Sequence, residues 1–475
     1  MARTTVADVL VDGLARAGAA RVFAAPDAPT SLRAAVHRRA LDVVEAPDAT
    51  AAVVLAAVTG EVGEGPGALV AGVDDARGLV RGLAHAQRER LPLIAVTAEG
   101  ADTRLLAPVV KASLVVEPAS AGHWIAHAGQ LAMGDPRGPV HVVVAADVAG
   151  EPALPVAASC RPAPLPPPEP ARLDALGAAI AAATRPLLIT GLECDVGDVR
   201  WIRAFAETLP APVLATSRGR GALADPHPLA LGSLVPGHAA LARADLVILL
   251  GVDAGELPPA VVAAGTPVAR IGRARWPGCG LAAEAVGDLA LVIEELAPYV
   301  RARPAADWDV AELDRMKRAV ISAANATPAA RLVALAREAT PAGTLAASDT
   351  PVLAAWQAVG PRETLTPLGP APRGYAVLAA LAAQLHHPDR RVVAFTRAAA
   401  LVSGVSVLAQ AVALGLPLVV VVLEALEPAI AARLERAGVP PIACPGEREF
   451  AVAFSHAYQS GRLSVISVDP GRPSP

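Results

Sequence analysis

Side chains able to do chemistry are scattered through this sequence rather than gathered in one familiar motif. Of its ten histidines, only His123 and His127 stand four apart, as two ligands on one helical face would. The stretch Gly122-His123-Trp124-Ile125-Ala126-His127 lacks the glutamate of the zinc-protease pattern, so no metal site is expected there. Adjacent His386 and His387 read as the C-terminal pair of a helix, favourably placed in its dipole. Cys160, Cys194, Cys279 and Cys444 form no Cys-x-x-Cys pair and read as reduced, buried thiols. Gly219-x-Gly221 is too short for a dinucleotide fingerprint. No Ser/His/Asp or Cys/His triad assembles from local motifs. Asp48, after Pro47, stands at the head of a helical pattern, where a helix N-cap is one role for it.

Composition limits what these residues can serve. A length of 475 residues implies about three domains. The 53% apolar content fills their cores, while 3% aromatics leaves the packing to Ala, Val and Leu. A net charge of −4 without a dense Lys/Arg tract excludes a nucleic-acid partner. The first eighteen residues lack the order of a signal peptide and read as an amphipathic helix with a Thr5-x-x-Asp8 capping box. Residues 405–423 carry no charge, but Gly415, Leu416 and Pro417 interrupt them. A buried helix, a turn and a buried parallel strand are expected there, not a membrane span. The expected location is cytoplasmic.

The elements that must position any site alternate between strand and helix. Residues 21–25, 41–45, 68–72, 93–97 and 140–145 read as strands, with helical spacing over 50–58 and 76–87. Eight prolines within 151–172 mark an extended linker. Beyond it come a helix at 173–183 and strands at 186–190, 212–215, 246–250 and 268–271. A polar helical stretch at 306–325 leads to a third region with strands at 391–396 and 417–423. The expected fold class is α/β, with three consecutive doubly wound parallel-sheet domains. Their bounds are 1–150, 173–305 and 328–475, joined by the linker 151–172 and a helical connector 306–327.

This layout resembles the acetolactate-synthase-like branch of the thiamine-diphosphate enzymes over nearly the whole chain. The opening Ala7-Asp8-Val9-Leu10-Val11-Asp12-Gly13-Leu14, then Gly138-Pro139-Val140-His141, are similar to the borders of that family's pyrimidine-binding domain. Arg185-Pro186-Leu187-Leu188-Ile189-Thr190-Gly191 resembles the start of its central domain. Thr216-Ser217-Arg218-Gly219-Arg220-Gly221-Ala222-Leu223, followed by His227-Pro228 and Leu231-Gly232, is the most specific match. Gly374-Tyr375, residues 387–394 and residues 416–423 resemble its diphosphate-binding domain.

The scaffold matches persist where the site matches fail. The family's Gly-Asp-Gly after the strand ending at Thr396 reads Arg397-Ala398-Ala399, and its Asn pair reads Glu424-Ala425. Ala398 and Ala425 supply no oxygen to magnesium. The activating glutamate falls at Asp48, one methylene shorter, and a misplacement of about 1 Å can lower a positioned reaction roughly a hundredfold. Three other loops diverge, reading Ala24-Ala25-Pro26-Asp27, Gly72-Val73-Asp74-Asp75 and Ala371-Pro372-Arg373-Gly374. Gly374, Thr396, Arg397 and Glu424 thus mark the positions of the former diphosphate site, with Arg397 and Glu424 expected to pair across it. The central-domain turn Gly191-Leu192-Glu193-Cys194-Asp195 is acidic and expected to repel a pyrophosphate. The resemblance so modified implies a non-catalytic homologue that binds or regulates, with no cofactor and no metal. Two other readings stand beside it: a thiamine-diphosphate- and magnesium-dependent lyase or transferase of unusual geometry, and a cleft reused for another small molecule. The family's assembly implies a homodimer or a dimer of dimers.

Overall fold

Strand–helix alternation builds three six-stranded sheets in a computed structural model that describes residues 4–100, 103–257, 265–276, 280–301 and 306–469. Cys279 lies outside these residues, while Cys160, Cys194 and Cys444 are free and buried as expected. The first domain runs α1 (Val6–Ala17), β1 (Arg21–Ala24), α2 (Thr30–Arg38), β2 (Asp42–Glu45), α3 (Ala49–Val62), β3 (Gly67–Ala71), α4 (Ala76–Arg88), β4 (Leu93–Ala98), β5 (Ser113–Val116), α5 (Ala121–Met133) and β6 (Pro139–Val144). After the proline-rich linker come α6 (Pro170–Ala182), β7 (Pro186–Thr190), α7 (Val199–Thr208), β8 (Val213–Ala215), β9 (Ala230–Ser233), α8 (Ala239–Arg243), β10 (Leu246–Leu250), β11 (Val268–Gly272), β12 (Ala283–Val286) and α9 (Leu289–Arg301). The connector is α10 (Val310–Ala324). The third domain holds α11 (Pro328–Glu338), β13 (Leu345–Ser348), β14 (Thr364–Leu365), α12 (Tyr375–His386), β15 (Val392–Thr396), α13 (Ala398–Ala413), β16 (Leu418–Val422), α14 (Pro428–Arg436), β17 (Ile442–Cys444), α15 (Glu447–Ser460) and β18 (Ser464–Val468).

Every pairing in the three sheets is parallel. The first sheet has the order β2-β1-β3-β4-β6-β5 and the third β14-β13-β15-β16-β18-β17, which is the same order. The central sheet runs β12-β11-β10-β7-β8-β9, the order of doubly wound dinucleotide-binding sheets.

Local chemistry starts and stops these elements. Thr5 and Asp8 form the expected capping box on α1, and Gly18 ends that helix in the left-handed region at φ 101°. The uncharged run 405–423 divides into the end of α13, a turn at Gly415 and the buried strand β16, as its interruption implied. Among the described residues no single helix is long and apolar enough to cross a membrane.

α3 and α12 are apolar on almost every face because both are buried between the first and third sheets. Leu69 and Ala95 of the first sheet, Val53 and Ala57 of α3, Leu378 and Ala382 of α12, and Ala394 and Val420 of the third sheet belong to one continuous core. The central domain keeps separate cores on the two faces of its sheet.

Candidate functional site at the strand carboxyl ends

Open parallel sheets bind ligands beyond their strand carboxyl ends, where the strand order reverses. Here those places are the ends of β1 and β3, of β7 and β10, and of β13 and β15.

In the third domain the chain brings Asp349, Thr396, Arg397 and Glu424 to one sheet edge. β15 and β16 are neighbours with Thr396 opposite Val422, and Leu423 N–H donates to Thr396 O at 2.9 Å. Thr396 is buried and its hydroxyl donates to Asp349 Oδ2 at 2.7 Å. Burial pushes the Asp349 carboxyl up, against the Thr396 bond and the Arg397 charge, and its Oδ1 is buried without a partner. α13 starts at Ala398 with no cap from the Arg397 side chain. Glu424 supplies the missing acceptor, its Oε1 taking the Ala398 N–H at 2.6 Å.

The expected Arg397–Glu424 ion pair is therefore not the arrangement found: among the described residues no salt bridge joins them. A helix N-terminus offers a fixed N–H and a positive dipole end, so it competes for the carboxylate against a long, entropically free guanidinium. The Arg397 side chain is exposed and lines a cavity beside the central domain. Gly374 precedes α12 in the left-handed region at φ 81° and packs beside Gly404 of α13. Asp48 joins none of these contacts. It caps α3, with Oδ1 accepting the Ala51 N–H at 2.8 Å.

The central domain repeats the device with Glu256, which sequence reasoning missed. Its Oε2 accepts the N–H groups of Leu192 (2.9 Å) and Asp253 (3.0 Å), and its Oε1 accepts the Thr216 hydroxyl at 2.6 Å. Burial pushes Glu256 up to about 7, opposed by these same bonds. The neighbouring acidic turn is not the source of repulsion expected of it. Asp195 pairs with Arg137 at 2.8 Å and with Arg362, while Glu193 meets Arg270 at 2.9 Å and the Arg273 N–H at 2.8 Å. Arginines neutralise the turn, and Glu256 occupies its Leu192 N–H. In the first domain Asp27 Oδ2 takes the Asp74 N–H at 3.0 Å, joining the two divergent loops after β1 and β3. Asp349 and Glu256 had one legible sign: each is an acid a few residues beyond an uncharged strand.

Other charged groups hold the domains together. Arg218, inside the most specific sequence match, lies buried between Glu61 at 2.7 Å and Glu89 at 3.3 Å, and Glu89 also accepts the Leu368 N–H at 2.8 Å. The three domains thus meet on one ionic contact. His386 ends α12, but burial holds its imidazole down at about 4, so it is neutral near pH 7 and the expected charge–dipole gain is absent. His123 and His127 have rings 6.3 Å apart, and no group of three or more His, Cys, Asp or Glu suited to a metal occurs among the described residues.

Comparison with known proteins fits this architecture. The models of the thiamine pyrophosphate enzyme match in chain order: the N-terminal TPP binding domain over residues 4–107, the central domain over 173–296 and the C-terminal TPP binding domain over 349–424. The acetolactate synthase large subunit of Parasynechococcus marenigrum is 28% identical over 425 residues, 78% of this chain and 66% of that protein. Acetolactate synthase 1 of Oryza sativa is 29% identical over 284 residues, 52% of this chain and 42% of its own length. The chain thus spans less than two thirds of the curated relatives it matches. A solved structure from Mycobacterium smegmatis, described as a candidate thiamin diphosphate-dependent enzyme, superposes with a TM-score of 0.80 at 21% identity, covering 99% of this chain and 100% of that one. Three domains matched in order on three parallel sheets place the chain in the thiamine pyrophosphate enzyme family, on its acetolactate-synthase-like branch.

Proposed function

We propose that this chain is a non-catalytic member of its family, retained as a binding or regulatory protein. The observation that carries this reading is the Glu424 carboxylate on the first N–H of α13. An anion-binding helix terminus is filled by the chain's own anion, so a diphosphate would have to displace it. The donor set for a magnesium-bound diphosphate does not fit either. Thr396 is committed to Asp349, and positions 398 and 425 are alanines. Asp27 and Glu256 hold loop N–H groups at the other two reversal points in the same way. Asp48 keeps a carboxylate where the family activates its cofactor, but its Oδ1 serves as a helix cap. The proposed assembly is a homodimer or dimer of dimers in the cytoplasm, and a monomer by sedimentation at micromolar concentration would contradict it.

Melting the protein with thiamine diphosphate and magnesium tests the main reading. A ligand at a hundred times its Kd adds about 2.7 kcal/mol to folding stability, a readily seen shift. No saturable rise is expected. Such a rise would overturn the proposal in favour of a cofactor-dependent lyase or transferase. Ala398→Asp with Ala425→Asn is expected to leave the melt unresponsive, because Glu424 still holds the helix terminus.

A further inference from the structure

A cavity of about 910 Å³ lies between the central and third domains, lined by neither Glu424 nor Glu256. One wall is the connector α10, whose Met316, Ala319, Val320, Ala323 and Ala324 recur at three- and four-residue spacing and form a single stripe. Only Leu313 and Met316 of that helix are buried, so the alanines face open space rather than a packed neighbour. The opposite wall is the third-domain sheet edge, with Thr350 beyond β13, Arg397 beyond β15 and Leu423 beyond β16. Val235 and His238, after β9, also line it. The volume falls within the roughly 300–1,000 Å³ of small-molecule sites, and the place is the strand-end cleft where such sites occur.

The charges around this trough are unevenly matched. Arg243 pairs with Glu312, and Arg315 reaches Asp309 at 3.9 Å. The Arg397 side chain has no ion-pair or hydrogen-bond partner among the described residues. Asp349 feels its charge but is bonded to Thr396. A planar guanidinium beside an alanine-lined trough complements a molecule with one carboxylate and an apolar body.

We propose that this cavity binds a medium-chain monocarboxylic acid, its chain along the α10 stripe and its carboxylate on Arg397. The bound acid bridges the connector and the third-domain sheet, so its binding reports on how the central and third domains are held. This inference goes beyond the lost cofactor site but borders it, since Arg397 stands at one of its former positions; the decanoate titration reads binding in the trough, whereas the melt with thiamine diphosphate reads the helix terminus held by Glu424.

Calorimetric titration of the full chain with decanoate and with decan-1-ol tests it. Decanoate is expected to bind saturably and more tightly than the alcohol. Arg397→Gln is expected to weaken decanoate at least tenfold and leave the alcohol unchanged, as loss of a charge-assisted bond requires. Ala323→Trp is expected to abolish both by filling the trough, with a melting temperature close to that of the unaltered protein. No saturable binding of decanoate, equal weakening of both probes by Arg397→Gln, or survival of binding in Ala323→Trp would each overturn the proposal. If neither probe binds and Ala323→Trp lowers the sedimenting mass, a second copy of the chain fills the trough and the proposal fails.

Discussion

Glu424 is a cap supplied from a neighbouring strand rather than from the residue that precedes the helix. Glu424→Ala is expected to lower stability by about 0.5–2 kcal/mol, and Asp48→Ala by about 1 kcal/mol, read from denaturant midpoints. Asp48→Asn is expected to be nearly neutral, since an amide oxygen caps α3 as well as a carboxylate does. Glu193 and Glu256 carry a pH signature because burial raises both to about 7 from an ordinary 4.5. Between those values the unfolded chain ionises them first, so their contribution to stability falls as pH rises and is flat above about 7. Buried His85 and His141 and half-buried His386, held down to about 3, 4 and 4, act in the opposite sense below 6.5. Between about 4.5 and 6.5 the two groups oppose one another in the whole protein. The difference between Glu256→Gln and the unaltered chain isolates one of them, and the variant is expected to gain relative stability from pH 4.5 to 7. A difference independent of pH would show that Glu256 is not raised. The Asp48 capping role and the strand-end placement of Thr396, Arg397 and Glu424 were legible in the sequence. The destination of the Glu424 carboxylate was not, because a strand's end fixes where a side chain starts and not which of two nearby donors it meets.

The elements read best were the long apolar ones. Strands β3, β4, β7, β10, β15 and β16 are buried along their whole length, but for half-buried Ala98 at the end of β4, and stand out as apolar runs. Those missed were mostly edges. β5, β12 and β17 have half-exposed patterns, short spans and polar or small residues, so neither alternation nor a continuous run marks them. The shared strand order of the first and third sheets was also invisible, since it depends on pairings between distant segments and not on repeated residues. One contact between elements explains a glycine. A Cβ at Gly67, at the start of β3, would lie 1.7 Å from the Ala56 carbonyl oxygen of α3. Gly67→Ala must push helix and strand apart, and a loss of about 1–3 kcal/mol or more is expected in the unfolding midpoint. An unchanged midpoint would mean that α3 is less tightly seated than this approach implies.

Across the whole molecule, the three domains are locked as well as linked. Arg218 is 8% exposed and stands between carboxylates that are 4% and 1% exposed, so its removal leaves buried Glu61 without its ion-pair partner and buried Glu89 with Arg88 alone. Arg218→Met is expected to lower stability by about 3–5 kcal/mol and to open the linker 151–169 to protease. Adding Glu61→Gln is expected to recover part of that loss, and a double variant no better than the single would place the energy elsewhere. The core shared by α3 and α12 has a further consequence, in time rather than in space. α3 leaves the ribosome with its apolar faces finished, yet α12 follows only after roughly 300 more residues, or about 15–60 s at ordinary synthesis rates. Through that interval the nascent first domain carries a helix whose partner has not been made. Efficient synthesis of this chain therefore calls for a chaperone that shields one apolar helix until translation is nearly complete.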